Sequence, residues 1–159
     1  MKILVTGANG FVAKNLIQFL AEKPKVEVLK LYRDSTAQEL EQMVLDADWI
    51  VHLAGVNRPQ HDSEFIEGNI SLTESICEIL RQNQKQTPII LSSSIQAERD
   101  NVYGKSKLGG EQALNKLNQQ NGNPIYISRM VNIFGKWSKP NYNSAVATFC
   151  YNIANDLPI

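Results

Sequence analysis

Met1-Lys2-Ile3-Leu4-Val5-Thr6-Gly7-Ala8-Asn9-Gly10-Phe11-Val12-Ala13 is the stretch whose reading decides the fold. An apolar run ended by Thr6 and Gly7 predicts a short strand, Ile3–Thr6, buried on both faces. From about Gly10 to Glu22 the spacing turns helical, with Phe11, Leu16, Ile17, Phe19 and Leu20 on one stripe and Pro24 closing it. Between strand and helix, Gly7 and Gly10 stand three residues apart. That spacing lets the backbone turn tightly and approach a pyrophosphate, whose charge is met by the helix N-terminus. The third position of the fingerprint is Ala13, which the pattern allows. A Gly-x-x-Gly can be only a tight turn, and the strand before it with the helix after it favours the ligand reading.

Outward from this stretch the same alternation repeats. Val26–Tyr32 reads as a second strand. Ser35 and Thr36, followed by Gln38 and Glu39, predict a capping box that opens a helix with Leu40, Met43 and Val44 inward. Trp49–Leu53 is a third strand, and a polar loop over residues 54–62 precedes a long helix from Ser63 to about Asn83. Pro88–Ser92 is a fourth strand, followed by a helix through Tyr103, Lys107, Leu114 and Leu117. Ile125–Met130 is a fifth strand and Ser144–Asn155 a last helix. Short apolar strands alternating with amphipathic helices imply a doubly wound, Rossmann-like α/β fold, its parallel sheet covered on both faces. Ligands of such folds bind beyond the carboxyl ends of the strands.

The chain has 159 residues, enough for one domain with a full core. Sixteen basic residues balance sixteen acidic ones, which argues against a nucleic-acid or membrane-surface binder. Cys77 and Cys150 are isolated in amphipathic segments, so they are expected to be reduced core residues of a cytoplasmic protein, with no metal site. No run is long enough for a signal peptide or a membrane span.

Tyr103-Gly104-Lys105-Ser106-Lys107 carries the chemistry. On a helix Tyr103 and Lys107 stand one above the other, and an ammonium beside a phenol is expected to lower its pKa and make it a usable acid/base. The same pair would be unremarkable on a solvated helix. Ser92-Ser93-Ser94 ends the fourth strand, where a hydroxyl could hydrogen-bond a carbonyl oxygen next to Tyr103, or merely end a strand. Arg33 follows the second strand, at the place that separates the two nicotinamide cofactors; it favours NADP(H) over NAD(H), with Asp34 beside it clouding the choice. The third strand ends in His52-Leu53-Ala54-Gly55, where small residues would let a cofactor lie against the backbone. His52 reads as a packed core histidine, Asn69 as structural, and Asn57, Arg58 and His61 as a polar loop that faces either substrate or solvent.

In order and context these motifs resemble the extended short-chain dehydrogenase/reductase superfamily, from Gly7-Ala-Asn-Gly10 through Tyr103-Gly-Lys-Ser-Lys107 to Asn132-Ile-Phe-Gly135. The resemblance implies Tyr103 as catalytic acid/base, Lys107 on the nicotinamide ribose, and Ser94 orienting the substrate carbonyl. It implies cofactor contacts at Gly7, Asn9, Gly10, Phe11, Val12, Arg33, Leu53, Ala54, Gly55 and Ser92, besides Tyr103 and Lys107. A narrower likeness lies in His52-Leu-Ala-Gly-Val-Asn-Arg-Pro59, Ser92-Ser-Ser-Ile-Gln-Ala97 and Phe134-Gly-Lys-Trp-Ser-Lys-Pro-Asn-Tyr-Asn143, with eight residues between Ser94 and Tyr103. These are similar to capsular-polysaccharide UDP-sugar reductases, which reduce a 4-keto-2-acetamido-2,6-dideoxy-hexose with NADPH. By that likeness Asn57, Arg58, Asn132, Lys136, Trp137 and Lys139, with Tyr142 and Asn143, would meet the UDP-sugar, and a homodimer is expected. Nucleotide-sugar 4-epimerisation, 4,6-dehydration and a non-catalytic NAD(P)-binding module remain alternatives. The chain ends where relatives continue into a substrate lobe, so it is expected to be the N-terminal part, residues 1–159, of a longer protein.

Overall fold

The computed structural model describes residues 1–56, 61, 65 and 67–159. Five strands form one parallel sheet: β1 (Lys2–Thr6), β2 (Glu27–Leu31), β3 (Trp49–His52), β4 (Ile89–Ser94) and β5 (Ile125–Met130), in the order β2-β1-β3-β4-β5. The chain starts at β1, moves one way to β2, then crosses to β3 on the other side of β1. That reversal makes the gap between β1 and β3 the switch point, where two connections leave in opposite directions and a crevice opens. Leu4, Val5 and Ile50 are fully buried because parallel strands have helices rather than water against them.

One face of the sheet is covered by α2 (Ala37–Asp46), α3 (Leu72–Gln82) and α4 (Val102–Asn121), which close over Leu4, Ile50, Ile76, Leu80, Ile89 and Leu114. On the other face α1 (Phe11–Ala21) packs Ala13, Leu16, Ile17 and Leu20 against Ile3, Val5, Val28 and Val51. Val5, Val51, Ile90 and Tyr126 lie in one row across the sheet on this face. The row starts buried and ends with Tyr126 53% exposed, stacked on Trp49 at 5.9 Å between centroids. Among the described residues, therefore, the expected double cover holds over β1–β3 and not over β5. The last helix, α5 (Ala145–Ala154), contains no buried residue.

The capping box forms as expected: Thr36 Oγ1 accepts from Glu39 N–H and the Glu39 carboxylate accepts from Thr36 N–H at 2.7 Å. Two elements and one cysteine differ from the sequence reading. β4 runs on to Ser94 because β5 supplies ladder partners for all three serines, Ser92↔Ser128, Ser93↔Arg129 and Ser94↔Met130. The long helix is a π-type turn at Glu67–Ser71 that leads into α3, and Ser63 lies outside the described residues. Cys150 is exposed rather than in the core, since α5 buries nothing, while Cys77 is half-buried with its thiol pushed up to about 12 by burial.

Candidate active site

A cleft of about 820 Å³ opens beyond the carboxyl ends of β1, β3, β4 and β5. Gly7, Gly10, Phe11 and Val12 form its wall on one side, and Ser92, Ser94, Tyr103 and Lys107 on the other. A second cleft of about 460 Å³ lies over the end of β2, between Tyr32, Arg33, Ser35 and Thr36 and the Ala54–Val56 segment. The two meet at Gly7 and Gly55, which line both. A long groove with its waist at the switch point suits a two-part ligand joined by a phosphate bridge.

The waist has no room for side chains. Gly7 has φ +66°, and a Cβ there would stand 2.8 Å from the Ala54 Cα, so the turn requires glycine. Beside it, α1 begins at Gly10 with no side-chain cap and no acidic residue in its first turn. Thr36, Asn101 and Ser144 cap α2, α4 and α5, whereas α3 continues from a π-type turn without a side-chain cap. The leading amides of α1 are thus left to an incoming anion. This cradle fits the pyrophosphate of a dinucleotide.

Beneath the waist the polar groups satisfy one another. Thr6 Oγ1 accepts from the Leu53 and Ala54 N–H groups at 3.2 and 3.0 Å, so its own hydrogen is given to His52 Nδ1 at 2.6 Å. The ring proton of His52 is therefore on Nε2 and is donated to Thr73 Oγ1 at 2.9 Å, which donates in turn to the Asn69 carbonyl. Burial, then the Lys107 charge, push His52 down to about 3, so it stays neutral. His52 is a core residue, as its sequence context suggested.

The opposite wall of the cleft is built on α4. Asn101 Oδ1 accepts from Gly104 N–H at 2.7 Å and starts the helix. A Cβ on Gly104 would strike the Gln96 carbonyl and lie 2.7 Å from the Arg99 carbonyl, so only glycine lets this turn settle on the 3-10 turn Ile95–Glu98. That seating brings Tyr103 to the Ser94 hydroxyl on the same wall of the cleft. Tyr103 is half-buried, its ring 5.6 Å from that of Phe65. One turn on, Lys107 is 8% exposed and donates to the Ser92 carbonyl at 3.2 Å. Burial pushes Lys107 down to about 8, opposed by the nearby Glu111 charge.

The expected lowering of the Tyr103 pKa is not found. Burial raises it above the ordinary phenol value, the Ser94 hydrogen bond pulling the other way. The reason is geometric, because the Lys107 ammonium is turned to Ser92 and not to the phenol. A phenol so placed holds its proton at neutral pH.

Residues 3–159 match the NAD dependent epimerase/dehydratase family. The chain belongs to that family. Over its whole length it is 53% identical to a UDP-2-acetamido-2,6-beta-L-arabino-hexul-4-ose reductase from Pseudomonas aeruginosa, of which it covers 43%. The crystal structure of the capsular polysaccharide assembling protein CapF from Staphylococcus aureus superposes with a TM-score of 0.87 at 52% identity, over 100% of this chain and 43% of that one. A UDP-glucuronic acid 4-epimerase from Bacillus cereus, solved with NAD, superposes with a TM-score of 0.85 over 99% of this chain and 65% of that one; at 21% identity it speaks for the fold alone. The chain thus spans less than half the length of the Pseudomonas reductase and of CapF.

Within this epimerase/dehydratase family member the sequence-derived site residues separate into groups. Gly7, Gly10, Phe11, Val12, Leu53, Gly55, Ser92, Ser94, Tyr103, Lys107 and Asn132 line the first cleft, and Ala54 and Arg33 the second. Asn9 is exposed and lines neither. Lys136, Trp137 and Lys139 stand on an exposed loop beyond both clefts, the Lys136 ammonium lying 4.5 Å over the Trp137 ring. That loop is tied to α1 by Asn15, which donates to the Lys136 carbonyl at 2.8 Å. Asn143 lines the first cleft. Asn57 and Arg58 lie outside the described residues. The sequence reading overlooked Arg99, which lines the first cleft, and the Glu111–Arg129 pair behind it. Glu111 was within reach, since it extends the Tyr103, Lys107 spacing by one more turn.

Among the described residues no group of three or more His, Cys, Asp or Glu is placed to hold a metal ion, and no helix is long and apolar enough to cross a membrane.

Proposed function

We propose that the chain is the NAD(P)-binding domain, residues 1–159 of a longer cytoplasmic enzyme, of an NADPH-dependent reductase. Its substrate is the 4-keto group of a UDP-2-acetamido-2,6-dideoxy-hexose, on the way to a capsular or surface polysaccharide precursor. The observation that carries this is Ser94, Tyr103 and Lys107 gathered on one wall of the cleft, facing the Gly7–Gly10 cradle on the other. The 53% identical relative named as a hexulose 4-reductase supports the substrate class.

Gly7, Gly10 and the first turn of α1 would hold the pyrophosphate, Lys107 the nicotinamide ribose, and Arg33 the 2′-phosphate that distinguishes NADPH. When bound, the cofactor supplies the hydride that carbon 4 gains. Tyr103 gives its phenolic proton to the carbonyl oxygen as that oxygen becomes an alcohol. Ser94 donates a hydrogen bond to the same oxygen and holds it beside Tyr103. The raised Tyr103 pKa keeps the phenol protonated at neutral pH, the form a donor needs, while Lys107 is turned to the Ser92 carbonyl and is left to hold the ribose. Asn132, and Lys136, Trp137 and Lys139 on their loop, lie on the approach to the sugar nucleotide. The α3–α4 pair, packed side by side, is the face through which a homodimer would form.

The test is an assay of the protein as encoded, given NADPH and a UDP-2-acetamido-2,6-dideoxy-4-keto-hexose. Cofactor and keto sugar are expected to disappear in equal amounts, with NADH a poorer donor. Interconversion of C4-epimeric UDP-sugars with no net use of cofactor would overturn the reductase reading in favour of an epimerase.

A further inference from the structure

Glu111 is 3% exposed, a carboxylate almost fully withdrawn from water. Such a group is retained only where partners compensate its lost hydration. Ser93 Oγ donates to Glu111 Oε1 at 2.5 Å. Arg129 on β5 donates through Nε to Oε1 at 2.9 Å and through Nη2 to Oε2 at 2.7 Å, a two-pronged pairing, while its Nη1 reaches Glu98 at 2.6 Å. The cluster ties α4 to β4, β5 and the 3-10 turn, the same four elements that bring Ser94, Tyr103 and Lys107 together. Glu111 also lies one helical turn beyond Lys107 on the face that carries Tyr103.

We propose that Glu111 is a positioning residue of this site: clamped by Ser93 and Arg129, its carboxylate fixes the seat of α4 and is the buried counter-charge that keeps Lys107 an ammonium. The proposal rests on the reading of Tyr103 and Lys107 as the reactive pair. Other groups facing Lys107 do not serve in this way. His52 from β3 is neutral and a phenol stands one turn back at Tyr103. β4 presents the Ser92 carbonyl and the Ser93 hydroxyl, and Arg129 from β5 is a cation already paired with Glu98 and Glu111. α3 meets α4 further along, where Cys77 Sγ lies 3.8 Å from the Ala113 carbonyl. The mutual influence agrees, as Glu111 raises the Lys107 pKa against burial, and Lys107 is among the charges that hold Glu111 below the ordinary carboxylate value. Without that carboxylate the ammonium would be lost at lower pH, because burial alone then acts on it.

The experiment reads Lys107 directly. The full protein is prepared with ¹³C-labelled lysine side chains, the Lys107 signal is identified by its absence from Lys107→Met, and its midpoint is followed through the alkaline range. In Glu111→Gln the midpoint is expected to fall by about one pH unit or more from its starting value near 8. NADPH affinity should fail at correspondingly lower pH on the alkaline side. A folded Glu111→Gln protein with an unmoved midpoint overturns the proposal. If that variant does not fold, Glu111→Asp, which keeps the charge but withdraws it by a methylene, is expected to give a smaller fall, and an unmoved midpoint there overturns it equally. If the midpoint falls while Lys107→Met still binds and uses NADPH, the coupling stands and the role assigned to Lys107 is what fails.

Discussion

His52 at the end of β3 and Lys107 on the second turn of α4 are both basic, and both are shut away from water, with 1% and 8% of their surfaces exposed. The structure deals with them in opposite ways. The groups hydrogen-bonded around His52 are all neutral and each donor meets an acceptor, from Leu53 and Ala54 through Thr6 and the ring to Thr73 and Asn69. Lys107 donates to the Ser92 carbonyl, but behind it stands a cluster of ions: Glu111, Arg129 and, at the rim, Glu98. The β1–β3 half makes a stable floor under the glycine cradle. The β4–β5 half holds charge at a cost, beside the phenol that is proposed to react. Strain of that kind is expected where function, not stability, sets the residue.

Substitutions on either side put this contrast to the test. On the neutral side, Thr6→Val keeps shape but leaves two N–H groups and a ring nitrogen without partners. At about 1–3 kcal/mol for each of the three unsatisfied groups, a loss of at least about 3 kcal/mol is expected in chemical denaturation. Ser93→Ala, the matching hydroxyl on the charged side, should cost only about 1 kcal/mol, since Glu111 keeps both bonds from Arg129. Equal losses would mean that the two halves are not different in kind.

Lys107→Met should give an effect of opposite sign. The Lys107 pKa is lowered from 10.5 to about 8 in the folded chain, so the cost of its buried ammonium is complete below about 8 and vanishes above 10.5, where folded and unfolded chains are both deprotonated. Removing it should therefore stabilise the protein at pH 7 by about 1–2 kcal/mol, after allowance for the partner that Ser92 loses. The gain should shrink as the pH rises through that window, as thermal melts at neutral and alkaline pH would reveal. A variant less stable at neutral pH would contradict the view that Lys107 is kept for function.

Much of the neutral half is legible in the sequence, because its signals are local. The apolar run of β1, the Gly7–Gly10 turn and the Thr36–Glu39 capping box are each contained within a few residues. The charged half is harder. The sequence reading ends β4 two residues short because Ser92, Ser93 and Ser94 are strand only through their pairing with β5, more than thirty residues away. Glu111 and Arg129 belong to different elements, and neither announces the other. The direction of the Tyr103 shift depends on where the Lys107 ammonium points, which residue spacing does not determine. Lys136, Trp137 and Lys139 enter through a resemblance whose loop geometry no local pattern encodes.

The most direct test of the proposed chemistry is Tyr103→Phe in the full protein, with ketone reduction and NADPH binding measured side by side. Turnover is expected to fall by about 10²–10⁴-fold while NADPH affinity stays within a few-fold of the parent, because the change removes the donated proton and leaves the cradle untouched. Turnover that survives the substitution would contradict the assignment of Tyr103 as the proton donor.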